Sequence, residues 1–220
     1  MKSLFDPIDV GAIAAKNRIF MAPMTRARGT KNHVPTNMMV PYYASRASAG
    51  IIISEAIGIS QEGLGWPFAT GLWDQQQIDG WRKITDAVHE AGGKIIAQLW
   101  HMGRVVHTSF LNGAQPVSSS TTTAPGLAYT YQGRRPYPAA RALSEREIKR
   151  IVSDFRVATK NALKAGFDGV QIHAANGYLL DQFIRDSANF RTDAYGGSIE
   201  NRLRFMLEVT EAVAEIAGAD

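Results

Sequence analysis

The sequence predicts an α/β protein: a parallel sheet covered by helices. Three observations carry that reading. Apolar strand candidates alternate with helix candidates along the chain. The strands are continuously apolar rather than alternating, as strands buried under helices are. Polar or unusual residues gather at the strands' carboxyl ends: Pro23-Met24-Thr25, Glu55-Ala56, Gln98 with Trp100 and His101, and His173 with Asn176 and Tyr178. An α/β barrel keeps its active site there. A doubly wound sheet would also bind ligands at its carboxyl edge. However, no Gly-x-Gly-x-x-Gly turn follows a strand and no Walker-type lysine loop is present, which argues against a dinucleotide-binding domain.

Taken in order, the first strand candidate spans 18–22 and a short helix candidate spans 35–48. A second strand follows at 50–54, bounded by Gly50. The helix expected over 75–90 sets Ile78, Trp81, Thr85 and Val88 on one face. The third strand spans 94–99. Residues 103–142 are rich in Ser, Thr, Pro, Gly and Tyr, and a loop that long in a compact domain is usually functional. Placed after the third strand, it would overhang the mouth of the site as a lid, ordered but irregular. The next helix opens at Ser144, where Glu147 completes a capping box. Its apolar positions Ile148, Ile151, Val152, Phe155, Ala158, Ala162 and Leu163 keep the helical period, and Ala165-Gly166 stops it. The fourth strand spans 169–173. A last helix covers 198–216, with Leu203, Phe205, Met206, Val209 and Val213 apolar.

Composition bounds the function classes. At 220 residues, with 45% hydrophobic and 20% charged, the chain suits one globular domain over 1–220. It has no apolar run of the roughly 20 residues a membrane span needs. With no signal-peptide core at the N-terminus and no Cys, a cytoplasmic setting is expected. The net charge of +4 is dispersed, and no stretch interleaves Lys or Arg with aromatics as a nucleic-acid surface would. His101 and His107 lack a third ligand nearby in sequence, so no metal site is expected.

The segment His173-Ala174-Ala175-Asn176-Gly177-Tyr178 carries the most chemistry. A His and an Asn offer donors for one oxygen, and a Tyr offers a phenolic proton beside them. That set suits polarising a carbonyl or nitro oxygen while protonating an adjacent carbon. A strand-end His is as often only a satisfied polar residue.

Four stretches of the chain resemble, in order, the Old Yellow Enzyme family of FMN-dependent ene-reductases. They are Asn17-Arg18-Ile19-Phe20-Met21-Ala22-Pro23-Met24-Thr25-Arg26, Gln98-Leu99-Trp100-His101-Met102-Gly103-Arg104, the His173 segment, and Asp181-Gln182-Phe183 through Asn201-Arg202. The resemblance implies a (β/α)8 barrel of which this chain supplies roughly the first four βα units, plus the long loop after the third strand. It implies that Pro23, Met24, Thr25, Ala56, Gln98 and His173 bind FMN, with Thr25 at the flavin O4 and Gln98 at the O2–N3 edge. His173 and Asn176 would bind the substrate's activating oxygen, Tyr178 would donate the proton, and Trp66 and Trp100 would wall the pocket. Many members carry Tyr where Trp66 stands. The implied reaction takes hydride from NADPH or NADH and reduces an activated C=C bond in an enal, enone, nitroalkene or maleimide. The phenol is expected near its ordinary value of ~10. Arg185, Asp186, Arg191, Asp193 and Tyr195 are expected to brace a loop, and Gly196-Gly197 to turn the chain before the last helix.

An eight-unit barrel takes about 250 residues. The resemblance therefore implies that the flavin phosphate site and an Arg at the N1–O2 edge lie in a complementary C-terminal half, or that self-association closes the sheet. The alternative expectation is an inactive or engineered half-barrel serving as a scaffold or assembly module.

Overall fold

The computed structural model describes residues 2–218, so Met1, Ala219 and Asp220 of the expected 1–220 domain lie outside the described residues. The chain begins with an antiparallel hairpin, β1 (Ile8–Val10) and β2 (Ile13–Ala15). There follow β3 (Phe20–Met21), α1 (Met39–Ala44), β4 (Ile51–Gly58), α2 (Gln75–Glu90) and β5 (Ile95–Trp100). The long insertion carries β6 (Val117–Ser118), β7 (Leu127–Thr130), β8 (Gly133–Pro136) and β9 (Arg141–Ala142). Then come α3 (Glu145–Lys164), β10 (Gly169–Ile172), α4 (Leu179–Ile184) and α5 (Ile199–Ala217).

The main sheet runs β10-β5-β4-β3, with every pair parallel. Each strand thus lies beside its predecessor in the chain. A doubly wound sheet reverses direction at a switch point; this one winds one way, as a barrel does. The helices pack on one face only. Ile52, Ile95, Ala97 and Leu99 share a core with Trp81, Ile84, Phe155, Ala158 and Phe205, all fully buried. On the other face Ile53, Ile96 and Gln171 are only half-buried.

Local chemistry fixes the helix ends. Asp74 and Gln77 form a capping box at the start of α2, and Ser144 and Glu147 form one at the start of α3. Arg141 grips the same Glu147 carboxylate at 2.7 and 3.1 Å, and this pairing draws its pKa down to about 2. Gly166, at φ +85°, turns the chain after α3 where a side chain would be strained.

Several bounds differ from expectation. The 18–22 strand pairs only at Phe20–Met21, and the 35–48 helix is helical only over Met39–Ala44. The strand from Gly50 instead runs on to Gly58, through a bulge between Ile53 and Ala56. A bulge re-aims the residues within it, here Ser54 and Glu55. The insertion is less irregular than expected: β7 and β8 form a hairpin, and β6 pairs in parallel with β9. Leu163, expected on the buried stripe of α3, is 40% exposed. The expected charged brace is present. Arg185 pairs with Asp181, Arg191 with Asp193 and Arg202 with Asp186, while Tyr195 donates to Glu208.

A concavity of about 790 Å³ lies away from the polar rim, along the unpaired side of β10, lined by Ile13, Ile96, Val170, Ile172 and Val213. Its lining is that of an open sheet edge rather than of a ligand pocket.

Candidate active site

The His173–Tyr178 turn is held by bonds from three directions. His173 donates its N–H to Leu99 O at 3.0 Å, carrying the ladder one residue past β10. Asn176 and Gly177 then adopt φ of +59° and +76°, a left-handed pair that reverses the chain; Asn tolerates this region better than most residues. Asp181 accepts the Gly177 N–H at 2.8 Å. Gln182, 1% exposed, spends its whole amide here. Its Nε2 donates to Gly177 O (2.7 Å) and Met102 O (3.2 Å), while Oε1 accepts from Ser118 Oγ (2.9 Å) and Arg104 N–H (3.1 Å). One side chain thereby ties the turn to the exit of β5 and to the insertion. In the sequence Asp181 and Gln182 stand out only as part of a family-like stretch, because their partners lie far away along the chain.

Three rings close around the turn. Trp100 stacks on His173 at 6.2 Å and 15°, and meets Tyr178 edge-on at 4.8 Å. Tyr178 meets His173 edge-on at 5.0 Å. Tyr178 and Trp66 pack against a second apolar cluster that includes Ala56, Leu64, Trp100, Met102 and Val106. The lid hairpin roofs this cluster: Tyr129 lies 5.1 Å from Trp66, and Tyr131 lies 5.1 Å from Phe68. The indole Nε1 of Trp100 is buried without a protein partner.

Burial also sets the protonation states. It draws the His173 pKa down, with the Asp181 carboxylate opposing, so the imidazole is neutral at pH 7. Nδ1 accepts the Ala175 N–H at 3.4 Å; from that bond we assign the proton to Nε2, which is free to donate. Burial pushes the Tyr178 phenol above its ordinary value, with Tyr137 of the insertion adding to the shift, so the unperturbed pKa expected from sequence does not hold.

The expected cofactor residues lie along one rim. Pro23, Met24 and Thr25 follow β3, Ala56 sits on β4, Gln98 on β5, and His173 follows β10. The register aligns Ala56, Gln98 and Gln171 in one row across the sheet. Gln98 Nε2 donates to Gln171 Oε1 at 2.7 Å, which leaves Gln98 Oε1 as an acceptor beside the free amide hydrogens of the pair. An acceptor beside a donor matches the N3–H and O2 of an isoalloxazine, so the residues present fit a flavin. Sequence reasoning passed over Gln171, whose signal is a polar residue inside an apolar strand. Two placements separate from the ring cluster: Asn176 is exposed on the turn, and residues 23–25 follow β3, which has β4 and β5 between it and β10.

The family model described as NADH:flavin oxidoreductase / NADH oxidase matches residues 3–220. Among solved structures, an Old Yellow Enzyme homologue from Zymomonas mobilis is 61% identical with a TM-score of 0.97, over 99% of this chain and 61% of that one. Morphinone reductase in complex with tetrahydroNAD is 46% identical with a TM-score of 0.95, over 99% of this chain and 62% of that one. The flavin oxidoreductase hxnT of Emericella nidulans is 46% identical over all of this chain and 58% of its own length. The chain thus spans about three-fifths of each of these relatives, and its four parallel strands are part of a barrel of the TIM type. The chain belongs to the NADH:flavin oxidoreductase / NADH oxidase family.

Proposed function

We propose that this chain is the catalytic-rim portion of an FMN-dependent NAD(P)H oxidoreductase that reduces activated C=C bonds in enals, enones, nitroalkenes or maleimides. The observation that carries the proposal is the packing of Trp100, His173 and Tyr178 around one turn, beside the Gln98–Gln171 pair on the same rim. FMN, when bound, would supply the two-electron hydride chemistry between a reduced nicotinamide and the substrate. Pro23, Met24, Thr25, Ala56, Gln98 and His173 are the residues that would hold it.

The protein's own groups do the rest. His173, through its Nε2–H, and Asn176, through its amide, donate to the substrate oxygen and draw electron density from the double bond. The β-carbon becomes electrophilic as negative charge gathers on that oxygen. Tyr178 holds its proton through neutral pH because burial raises its pKa, and delivers that proton to the α-carbon. Trp66 and Trp100 wall the pocket, with the β7–β8 hairpin above keeping water out.

We propose further that catalysis needs the rest of the barrel, supplied by a complementary C-terminal half or by self-association. Among the described residues two sheet edges, β3 and β10, are unpaired, and Phe20 of β3 is 39% exposed. Open edges of this kind call for pairing. The chemistry, a nicotinamide-fed reduction on a protein without Cys, fits a cytoplasmic setting. Size-exclusion chromatography with light scattering, read in the flavin's visible band with FMN added, tests both proposals. A yellow assembly that passes electrons from NADPH to cyclohexenone is expected. A colourless assembly that stays inactive when the complementary half is supplied would favour the scaffold alternative, while full reductase activity from the monomer would contradict the need for completion.

A further inference from the structure

Glu55 is 1% exposed, and a carboxylate that deeply buried is normally paired with a cation. Here it is held by two neutral donors. Tyr43 Oη donates to Oε1 at 3.2 Å and the Arg26 backbone N–H donates to Oε2 at 3.3 Å. In return the Glu55 N–H donates to Tyr43 Oη at 2.9 Å. Tyr43 is itself fixed: fully buried on α1, edge-on to Tyr42 at 5.0 Å and tilted against Trp81 at 5.9 Å. Glu55 sits in the β4 bulge directly before Ala56, and Ser54 beside it accepts the Gln98 N–H at 3.1 Å. The bulge therefore reaches two neighbours: Gln98 through Ser54, and the loop after β3 through Glu55.

We propose that Glu55 is a positioning residue whose buried carboxyl, clamped by Tyr43, holds the Arg26 peptide and so sets where Thr25 meets the flavin. This inference deepens the flavin-site reading above and rests on it. Thr25 and Arg26 share a peptide unit, so a bond to the Arg26 N–H fixes the plane from which the Thr25 side chain projects. The groups facing the carboxyl are Tyr43 from α1 and the Arg26 and Arg28 side chains from the loop after β3; Tyr42 acts on Tyr43, and the Gln98 N–H of β5 bonds Ser54. Arg26 is turned toward Tyr42, with its guanidinium 5.1 Å from that ring. Burial lifts the Glu55 pKa to about 7, and the hydrogen bonds and nearby arginines offset only part of that rise. The carboxylate accepts both bonds, whereas a proton on one oxygen weakens the hold. The grip on Arg26 thus tightens as pH rises through about 7.

Amide exchange at Arg26, measured by NMR on the full chain without flavin, tests this for wild type, Glu55→Gln and Glu55→Leu. Wild type should gain roughly tenfold protection as pH rises through the transition, in keeping with a hydrogen bond to a charged acceptor. Glu55→Gln keeps an acceptor for Arg26 and should be protected at every pH without the transition. Glu55→Leu should lose the protection throughout. With FMN and the complementary half added, wild type should show a step in flavin absorbance over the same pH range, absent from Glu55→Gln. Equal Arg26 exchange in wild type and Glu55→Leu overturns the proposal. Exchange that follows Glu55 while bound flavin ignores the substitution also overturns it, leaving only a structural clamp. Failure of wild type to bind FMN even with the complementary half supplied, with exchange following Glu55, supports the hold on Arg26 and counts against the flavin reading instead.

Discussion

On the outer face of the sheet, Ile52, Ile95 and Leu99 meet Trp81, Phe155 and Phe205, every one fully buried and apolar. At the carboxyl rim of the same strands, Glu55, Gln98, His101 and Gln182 are nearly as buried, yet each is polar. The outer layer is held by burial, which is nondirectional and tolerates exchange of one apolar side chain for another of similar volume. The rim is held by specific bonds, and a buried polar group left without its partner costs about 1–3 kcal/mol. Damage to the outer layer should therefore appear as lost stability. Damage to the rim should appear as a misplaced site on a fold that persists.

Truncation of the outer layer gives the largest effect expected. Phe155→Ala removes a fully buried ring and should cost about 3–5 kcal/mol in denaturant unfolding. A loss below about 1 kcal/mol would mean that the helix layer does not carry the fold. Next comes a difference in pH dependence. Glu55 has a folded pKa of about 7, above its ordinary 4.5, so the native state binds that proton more tightly than the unfolded chain does. Its contribution is most favourable below 4.5 and is lost as pH rises toward 7. Relative to Glu55→Gln, wild type should lose roughly 3 kcal/mol across that window, and parallel stability curves would refute the buried-carboxyl account. Gln182→Glu turns an acceptor toward Met102 O and Gly177 O and should cost about 1–3 kcal/mol, with broadened NMR signals at Asn176 and Tyr178. If instead those signals stay sharp, Gln182 does not hold the turn. Ser144→Ala opens a capping box at the edge of the outer layer and should cost about 1 kcal/mol without touching the rim.

The same contrast explains what the sequence revealed. The α2 bounds and the α3 capping box were legible because amphipathic period and caps are local signals. The extension of β4 past Ser54 was not, since Glu55 reads as a polar strand end until Tyr43, twelve residues earlier, is seen to satisfy it. Helix α4 spans only six residues, too few to show a period. The Gln98–Gln171 pair joins residues 73 apart, so only Gln98, which the resemblance marked, was singled out. His173 and Tyr178 were legible from the chemistry of their own segment and Trp100 as a strand-end residue, while the packing of the three rings came from the fold.

The most direct test of the rim's chemistry follows the two half-reactions of the assembled, FMN-loaded protein by stopped flow, in wild type and Tyr178→Phe. The account predicts that flavin reduction by NADPH is nearly unchanged, while reoxidation by cyclohexenone slows by about 10²–10⁴, the usual share of a proton donor. Equal reoxidation rates in the two proteins would contradict it, and Tyr178 would then be a packing residue beside Trp100 rather than the source of the proton.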